Sequence, residues 1–213
     1  MLTTLTVTVP PIAEPVSLDL AKHHARIPHD SDDILIEGYL TSARVMAEAY
    51  TGRALLAQTL TWTLQTEDAL RPADWHFLYR QPLFLPRSPV QSINSVTVLD
   101  LLGNSTLLPP ATLPIVPPTL TAGYVVDLAL MPASIRFGQA SVLDDGRPLR
   151  IVNLQHVAIE FIAGYPDQAS IPQPILNAIL MGTSFLYEHR GDAQVEMPDA
   201  MRWLLNPYRL SWV

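Results

Sequence analysis

The sequence predicts an α+β protein in which a small helical bundle is interrupted by a β-rich insert. Helical periodicity is confined to residues 16–54 and 166–192. Between them, residues 55–165 alternate apolar and polar side chains and are punctuated by prolines and turn residues. A Pro-rich N-terminal arm, 1–15, and an apolar, extended C-terminal tail, 193–213, flank these parts. Two helices thus precede the insert and one follows it.

The first two helices have recognisable starts. Residues 18–26 follow Ser17, whose hydroxyl suits an N-cap. The second helix is predicted over 32–51, with Asp30 or Ser31 as its cap and acidic residues at its positive end.

The second helix has two contrasting faces. A polar stripe contains Glu37, Thr41, Arg44 and Glu48, and we expect it to face a channel, a neighbour or solvent. Arg44 and Glu48 are spaced to pair along the helix. Gly52 is a natural terminator. The opposite, apolar face consists of Ile36, Leu40, Ala43, Ala47 and Tyr50.

Alternation and turn residues define the insert. Leu60, Trp62 and Leu64 alternate with threonines, which predicts a half-buried strand. Gly103-Asn104 predicts a hairpin. Five prolines in 109–118 favour an edge or a surface loop there. Further β segments are predicted within 77–87, 90–100, 122–130 and 149–165.

The last predicted helix begins behind Pro172 and Pro174. Gly182 lies inside it and costs roughly 1 kcal/mol relative to alanine, which predicts close approach of another backbone. The tail contains a short helix followed by Pro207. The polar end of the long helix reads Glu188, His189, Arg190, Gly191 and Asp192.

Composition limits the possible functions. The net charge of −7 lacks the basic footprint of a nucleic-acid-binding protein. Charged residues make up 15%, against a usual share of about 25%, which indicates either little surface or surface hidden against partners. Arginine far outnumbers the single lysine, Lys22; arginine suits interfaces, and a GC-rich genome explains the bias equally well.

Cysteine and membrane chemistry are also constrained. The absence of cysteine excludes disulfides, thiolate catalysis and cysteine zinc sites. The start has no basic segment typical of a secretion signal, and the longest apolar run is too short and polar to cross a bilayer. We expect a soluble protein, made in the cytoplasm, with no membrane partner.

Ionisable residues that could support chemistry have ordinary structural explanations. His23 and His24 point in different directions on a helix. His29 lies among Asp30, Asp32 and Asp33, where a metal site competes with a plain acidic helix start. The cluster Glu188–Asp192 suits a helix end. Nucleotide-binding, nucleophile-elbow and metalloprotease motifs do not occur. The sequence therefore predicts a non-enzyme without metal or cofactor, with a cryptic carboxylate or histidine site as the alternative.

Four segments resemble a known family: "EPVSLDLAKHHARIPHDSDDILIEGYLTSARVMAEAYTGRAL", "LPRSPVQSINSVTVLD", "VAIEFIAGYPDQASIPQPILNAILMGTSFLYEHRG" and "LLNPYR". In their order and spacing, they are similar to the head–tail connector (adaptor) proteins of long-tailed bacteriophages and gene transfer agents. They cover about half of the chain. Residues 101–150 depart from the family pattern, since they are longer and richer in proline.

The resemblance implies a virion protein, made in the bacterial cytoplasm and placed at the head–tail junction. Copies would form a ring, typically twelvefold, beneath the portal, extending the DNA channel and docking the stopper or tail-completion protein. DNA would pass without specific binding. A stopper or tail-completion role in the same particle is the alternative.

Two surfaces are candidate sites. The polar stripe with Glu37, Arg44 and Glu48 would face the channel or a neighbour. The apolar tail would dock onto the portal, because arginine and aromatic residues dominate binding hot spots; the alternative is that the tail folds back onto its own bundle. The predicted portal-binding residues are Arg202, Trp203, Leu204, Leu205, Tyr208, Arg209 and Trp212.

Overall fold

A computed structural model describes residues 2–65, 82–100, 103–110, 123–137, 141–142, 148–149, 154–190 and 196–210. The chain forms two compact units. The β unit comprises residues 1–10 and 58–163, and the helical unit comprises residues 11–57 and 164–213. The predicted α+β class, with a helical part interrupted in sequence by a β-rich part, is confirmed.

The helical unit contains four α-helices in the described residues. They are α1 (Leu18–Ala25), α2 (Asp33–Thr51), α3 (Gln173–Glu188) and α4 (Asp199–Leu205), with short 3-10 turns at Gln168–Ser170 and Asn206–Tyr208. No described helix is both long and apolar enough to cross a membrane.

The helix boundaries follow local chemistry. The Ser17 side chain accepts a hydrogen bond from the Leu20 amide at 3.3 Å, as predicted for an N-cap. Gly52 ends α2 in the left-handed region (φ 72°), also as predicted. The predicted cap of α2 was wrong. Asp32, not Asp30 or Ser31, occupies that position, and it makes no side-chain cap bond because its carboxylate binds Tyr187 instead.

One hydrophobic core holds the helical unit together. It joins the apolar face of α2 to α3 and includes Ile36, Leu40, Ile175 and Ile179. Gly182 is buried within it, but the prediction of close backbone approach needs correction. A Cβ at Gly182 would lie 3.0 Å from Met201 Sδ and 3.1 Å from Ala43 Cβ, so its close neighbours are side chains of α4 and α2.

The β unit contains ten described strands. They are β1 (Leu2–Val9), β2 (Gln58–Gln65), β3 (Leu83–Phe84), β4 (Val90–Asp100), β5 (Ser105–Leu107), β6 (Tyr124–Asp127), β7 (Ser134–Phe137), β8 (Ser141–Val142), β9 (Pro148–Leu149) and β10 (Leu154–Ala163). They form three antiparallel sheets, ordered β1-β2-β10-β4-β5, β3-β7-β6 and β8-β9.

The central strands agree with the sequence pattern. Leu60, Trp62 and Leu64 of β2 are buried, whereas the intervening threonines are half-buried. The predicted hairpin is confirmed, since β4 and β5 pair antiparallel with Leu99 opposite Ser105, and Gly103 between them has φ 86°. Of the proline-rich stretch 109–118, only residues 109 and 110 fall within the described part of the chain.

The N-terminal arm differs from the prediction. Residues 2–9 form an edge strand that pairs with β2 from Leu2↔Gln65 onwards. The alternation of threonine with leucine and valine in β1 favours strand pairing over a free arm. Residues 11–15 belong to the helical unit.

Candidate functional site: surfaces of the helical unit

The C-terminal tail is built into the helical unit. Met201 and Leu205 of α4 are completely buried, and Leu210 is 7% exposed. Met201 and Leu205 belong to the same core as α2 and α3. The prediction of Leu205 as a portal-binding residue was therefore wrong for this fold. Leu205 follows Met201 by four residues, so both side chains lie on the same, buried face of α4. The described tail instead follows the alternative, folding back onto its own bundle.

Hydrogen bonds to backbone carbonyls hold residues 208–210 of the tail in place. The Leu210 amide donates to the Thr51 carbonyl at 2.8 Å, at the C-terminus of α2. Arg53 donates from Nε to the Tyr208 carbonyl at 2.6 Å and from Nη1 to the Tyr165 hydroxyl at 3.2 Å. Arg53 thus ties the tail to the segment that enters the helical unit after β10. Sequence reasoning missed this residue, whose only signal was its place directly after the helix terminator.

A part of the tail remains accessible, and we name it the tail surface: Arg202, Trp203 and Arg209. Trp203 is 80% exposed. The Arg202 guanidinium is paired with Asp199 at 3.0 Å, and the guanidinium of Arg209 lies 5.4 Å from the Tyr50 ring centre. Of the other predicted docking residues, Leu204 and Tyr208 are half-buried, and Trp212 lies outside the described residues. Tryptophan and arginine are among the residue types most enriched in binding hot spots.

The second predicted surface, the polar stripe of α2, contains both exposed and buried residues. Glu37 is exposed, as expected, but Arg44 and Glu48 are each only 7% exposed, so the expectation that they face outward was wrong. Arg44 donates to Glu14 at 2.7 Å and to Glu48 at 2.8 Å, which confirms the predicted pairing along the helix. Glu48 also accepts the Leu55 amide at 2.8 Å.

This network has a physical reason. Glu14 and Leu55, which lie in segments outside α2, contact this side of the helix. The Glu14 carboxylate accepts a hydrogen bond from Arg44, and the Leu55 amide donates one to Glu48. Burial of charge is tolerated because every described charge in the cluster has a partner at hydrogen-bond distance. The arrangement stabilises the subunit and leaves Arg44 and Glu48 unavailable to a channel.

The polar end of α3 binds the start of α2. The Tyr187 hydroxyl donates to Asp32 at 2.7 Å, and the Arg190 guanidinium lies 4.4 Å from the Tyr187 ring centre. This hydrogen bond lowers the pKa of Asp32 below its usual range and raises the pKa of Tyr187. His189 stacks on Phe185 with ring centres 4.1 Å apart. In the described residues, this cluster joins the end of α3 to the start of α2. Asp192 lies outside the described residues.

In the described parts of the chain, histidines and carboxylates do not form a group that could hold a metal ion. His29 Nδ1 lies 2.8 Å from the Ser31 hydroxyl. Asp30 and Asp33 bind the Lys22 ammonium, and these hydrogen bonds raise the pKa of Lys22. The acidic start of α2 is therefore occupied by internal ion pairs.

The sequence comparison agrees with the resemblance described above. Residues 15–98 match the family described as phage gp6-like head-tail connector proteins. This segment contains α1, α2 and the strands β2, β3 and most of β4. No curated protein matches the chain significantly.

The fold is similar to chains of gene transfer agent (GTA) particles. A chain of the native GTA virion matches with a TM-score of 0.69 and 18% identity, over 98% of this protein and 96% of that chain. A chain from the neck of the empty particle, computed with C6 symmetry, matches with a TM-score of 0.66 and 20% identity, over 100% and 97%.

A third match lies in the neck of the native particle, computed with C12 symmetry. Its TM-score is 0.57 at 20% identity, over 100% of this protein and 97% of that chain. These structures show that the fold is shared, and the family match over residues 15–98 agrees with the predicted resemblance to head–tail connectors.

Proposed function

We propose that this protein is a head–tail connector, a structural virion component located between the capsid and the tail. The observation that carries the proposal is the coincidence of two independent similarities. The connector family matches residues 15–98, and the fold matches neck subunits over essentially the whole chain. Two of the ionisable clusters that the sequence singled out have structural contacts that support this role: Arg44 pairs with Glu48 within α2, and Tyr187 at the end of α3 binds Asp32 at the start of α2.

In this proposal, copies of the chain form a ring, with twelve as the expected number. The C12 symmetry of a neck that contains a similar chain supports this count. A ring subunit has two lateral faces that neighbours cover. This accounts for a chain with only 15% charged residues and for exposed apolar side chains such as Ile34 and Val45.

The ring would extend the portal's DNA channel. A net charge of −7 suits a passage through which DNA slides, because contacts between phosphates and many lysines or arginines would retain it. DNA is thus a transported molecule in this proposal and is not bound specifically.

The tail surface is proposed as the contact with the portal, and the opposite end of the ring as the contact with a stopper or tail-completion protein. Trp203 supplies apolar area and the two arginines supply directional hydrogen bonds. The rest of the tail positions them, since Leu205 and Leu210 anchor it in the bundle.

The proposal is tested by deleting the gene in a producing strain and imaging the particles. We expect heads that lack attached tails, and tail attachment restored by the wild-type gene. Imaging of complemented particles should place the protein directly beneath the portal as a ring. Normal, tailed particles after deletion would refute the connector role. A position below another ring would identify a stopper or tail-completion protein instead.

The portal contact has its own test. Trp203→Ala should leave the subunit folded and reduce its recovery on isolated heads at least tenfold. The matched control is Leu107→Ala, which removes another exposed apolar side chain, 65% accessible, from the β unit. Equal recovery of both variants would exclude the tail surface as the portal contact.

A further inference from the structure

Helix α2 presents a second surface, which we name the outer face: Ile34, Leu35, Gly38, Ser42, Val45 and Ala49. All six are exposed, and Ile34 and Val45 are 87% and 50% accessible. They recur at intervals of three and four residues on the side opposite the buried Ile36, Leu40, Ala43 and Ala47. The face contains no charged residue. The exposed polar residues Glu37 and Thr41 lie to one side of it, so the outer face is an uncharged surface separate from the polar stripe.

Gly38 lies in the middle of this face and has no role inside the subunit. A Cβ placed on it would meet no atom within 4 Å. Its backbone is helical, so the conformational freedom of glycine is not used there. Glycine destabilises a helix interior relative to alanine, and the helical unit obtains nothing in return. A missing side chain in open space lets an external backbone approach closely.

The polar atoms of the outer face are already satisfied. The Ser42 hydroxyl donates to the Gly38 carbonyl at 2.8 Å, within the helix. Covering the face would therefore remove apolar surface from water without leaving a side-chain hydrogen-bond donor unpaired. The surface around Gly38 is a shallow, open depression lined by Ile34, Leu35, Tyr39 and Ser42, with Ser31 and Asp32 at its N-terminal end.

We propose that the outer face of α2 receives helix α1 of a second copy of this chain. The inference rests on the proposed ring. α1 exposes Leu20, which is 47% accessible, beside exposed His23 and His24, while its Ala21 is buried on the other side. An exposed arginine, Arg26, follows its C-terminus.

Charge favours this pairing over pairing of like faces. Arg26 is an exposed cation at the C-terminal end of α1, next to the exposed polar side chains of His23 and His24, and Asp19 lies at the opposite end of that helix. Exposed Glu37 borders the outer face of α2, whereas Asp30 is already paired with Lys22. The contact is between two different surfaces, as a closed ring requires, whereas a contact between identical faces would stop at a dimer.

The contact is too small to hold free subunits together. With 19 residues, α2 is about 28 Å long. One helix side of that length supplies only part of the roughly 800 Å² per partner of a standard interface. We therefore expect free protein to be mostly monomeric at low concentration and the pairing to form on the particle, where the portal assembles the copies.

Disulfide trapping tests the geometry directly, because the natural chain has no cysteine. The double variant Leu20→Cys/Ser42→Cys, incorporated into particles and then oxidised, should give a ladder of cross-linked multimers. Each single variant alone should remain monomeric, and a mixture of the two should stop at dimers. Particles that contain the double variant but give no multimers would overturn the proposal. Dimers from either single variant would show a contact between identical faces and would also overturn it.

A bulky residue at Gly38 gives the complementary test. Gly38→Leu should leave the denaturation midpoint of the free subunit unchanged or higher, since the side chain meets open space. Its recovery in particles should fall at least tenfold. Asn177→Leu adds the same side chain at an exposed position of α3 and should be recovered normally. Normal recovery of Gly38→Leu would overturn the inference. Absence of the wild-type protein from particles would instead refute the proposed connector function.

Discussion

Substitution of Leu205 tests whether the tail is part of the helical core. Its side chain is completely buried within the cluster formed by α2, α3 and α4. Leu205→Ala removes three carbon atoms, each worth about 0.8 kcal/mol of transfer free energy. The cavity left behind adds to that loss, so the free energy of unfolding should fall by about 2–5 kcal/mol. Trp203→Ala, two residues away, should change it by less than about 0.5 kcal/mol because Trp203 is 80% exposed.

Urea unfolding followed by the helical circular dichroism signal is the appropriate assay, since the described helices all lie in the helical unit. The midpoint should shift for Leu205→Ala while the slope stays constant. A loss below about 1 kcal/mol would refute the reasoning, since the cavity argument sets a higher minimum. A loss for Trp203→Ala as large as that for Leu205→Ala would show that both faces of α4 are buried.

Three further substitutions test the internal contacts. Arg44→Met should destabilise the helical unit by about 3–5 kcal/mol in urea unfolding, because it breaks a buried ion pair and removes one partner of the Glu48 carboxylate; a loss near zero would show that the pair does not form. Gly164→Ala should cost at least about 3 kcal/mol, since φ is 131° and the new Cβ would lie 2.2 Å from backbone atoms; wild-type thermal stability would contradict this. Tyr187→Phe should make the free energy of unfolding depend less steeply on pH in the acidic range. The lowered pKa of Asp32 contributes stability that is present above its unfolded pKa, near 3.9, and is lost as pH falls through the folded value; identical acid titrations would exclude this contribution.

Much of the helical unit follows from local sequence signals. The Ser17 cap, the Gly52 terminator and the spacing of Ile36 and Leu40 specify two helices, because each signal acts within one or two turns. The half-buried strand around Trp62 is equally local, since side chains alternate between the two faces of any strand. The connector resemblance was also accessible from sequence, through segments that include α1 and α2.

Other features depended on contacts between distant residues. Arg44 and Glu48 are polar, and periodicity assigned them to the outside. They are buried because Glu14, thirty residues before Arg44, and the Leu55 amide, beyond the end of the helix, complete their hydrogen bonds. The arm became strand β1 because β2 offers a matching edge. The spacing of residues in the sequence does not reveal hydrogen bonds of this kind, since each partner taken alone is a residue that is commonly exposed to solvent.

The sequence by itself determined the fold class, the positions of the principal helices and the class of particle to which the protein is similar. Tertiary structure alone decided which polar and apolar residues remain available to partners. Leu205 and Trp203 are neighbouring apolar residues of one short helix, yet one is in the core and the other in solvent. Gly38 and Gly182 are both glycines inside helices, yet one faces open space and the other touches Ala43 and Met201. The physical reason is that composition and spacing define a side of a helix, whereas availability depends on which other segments cover that side.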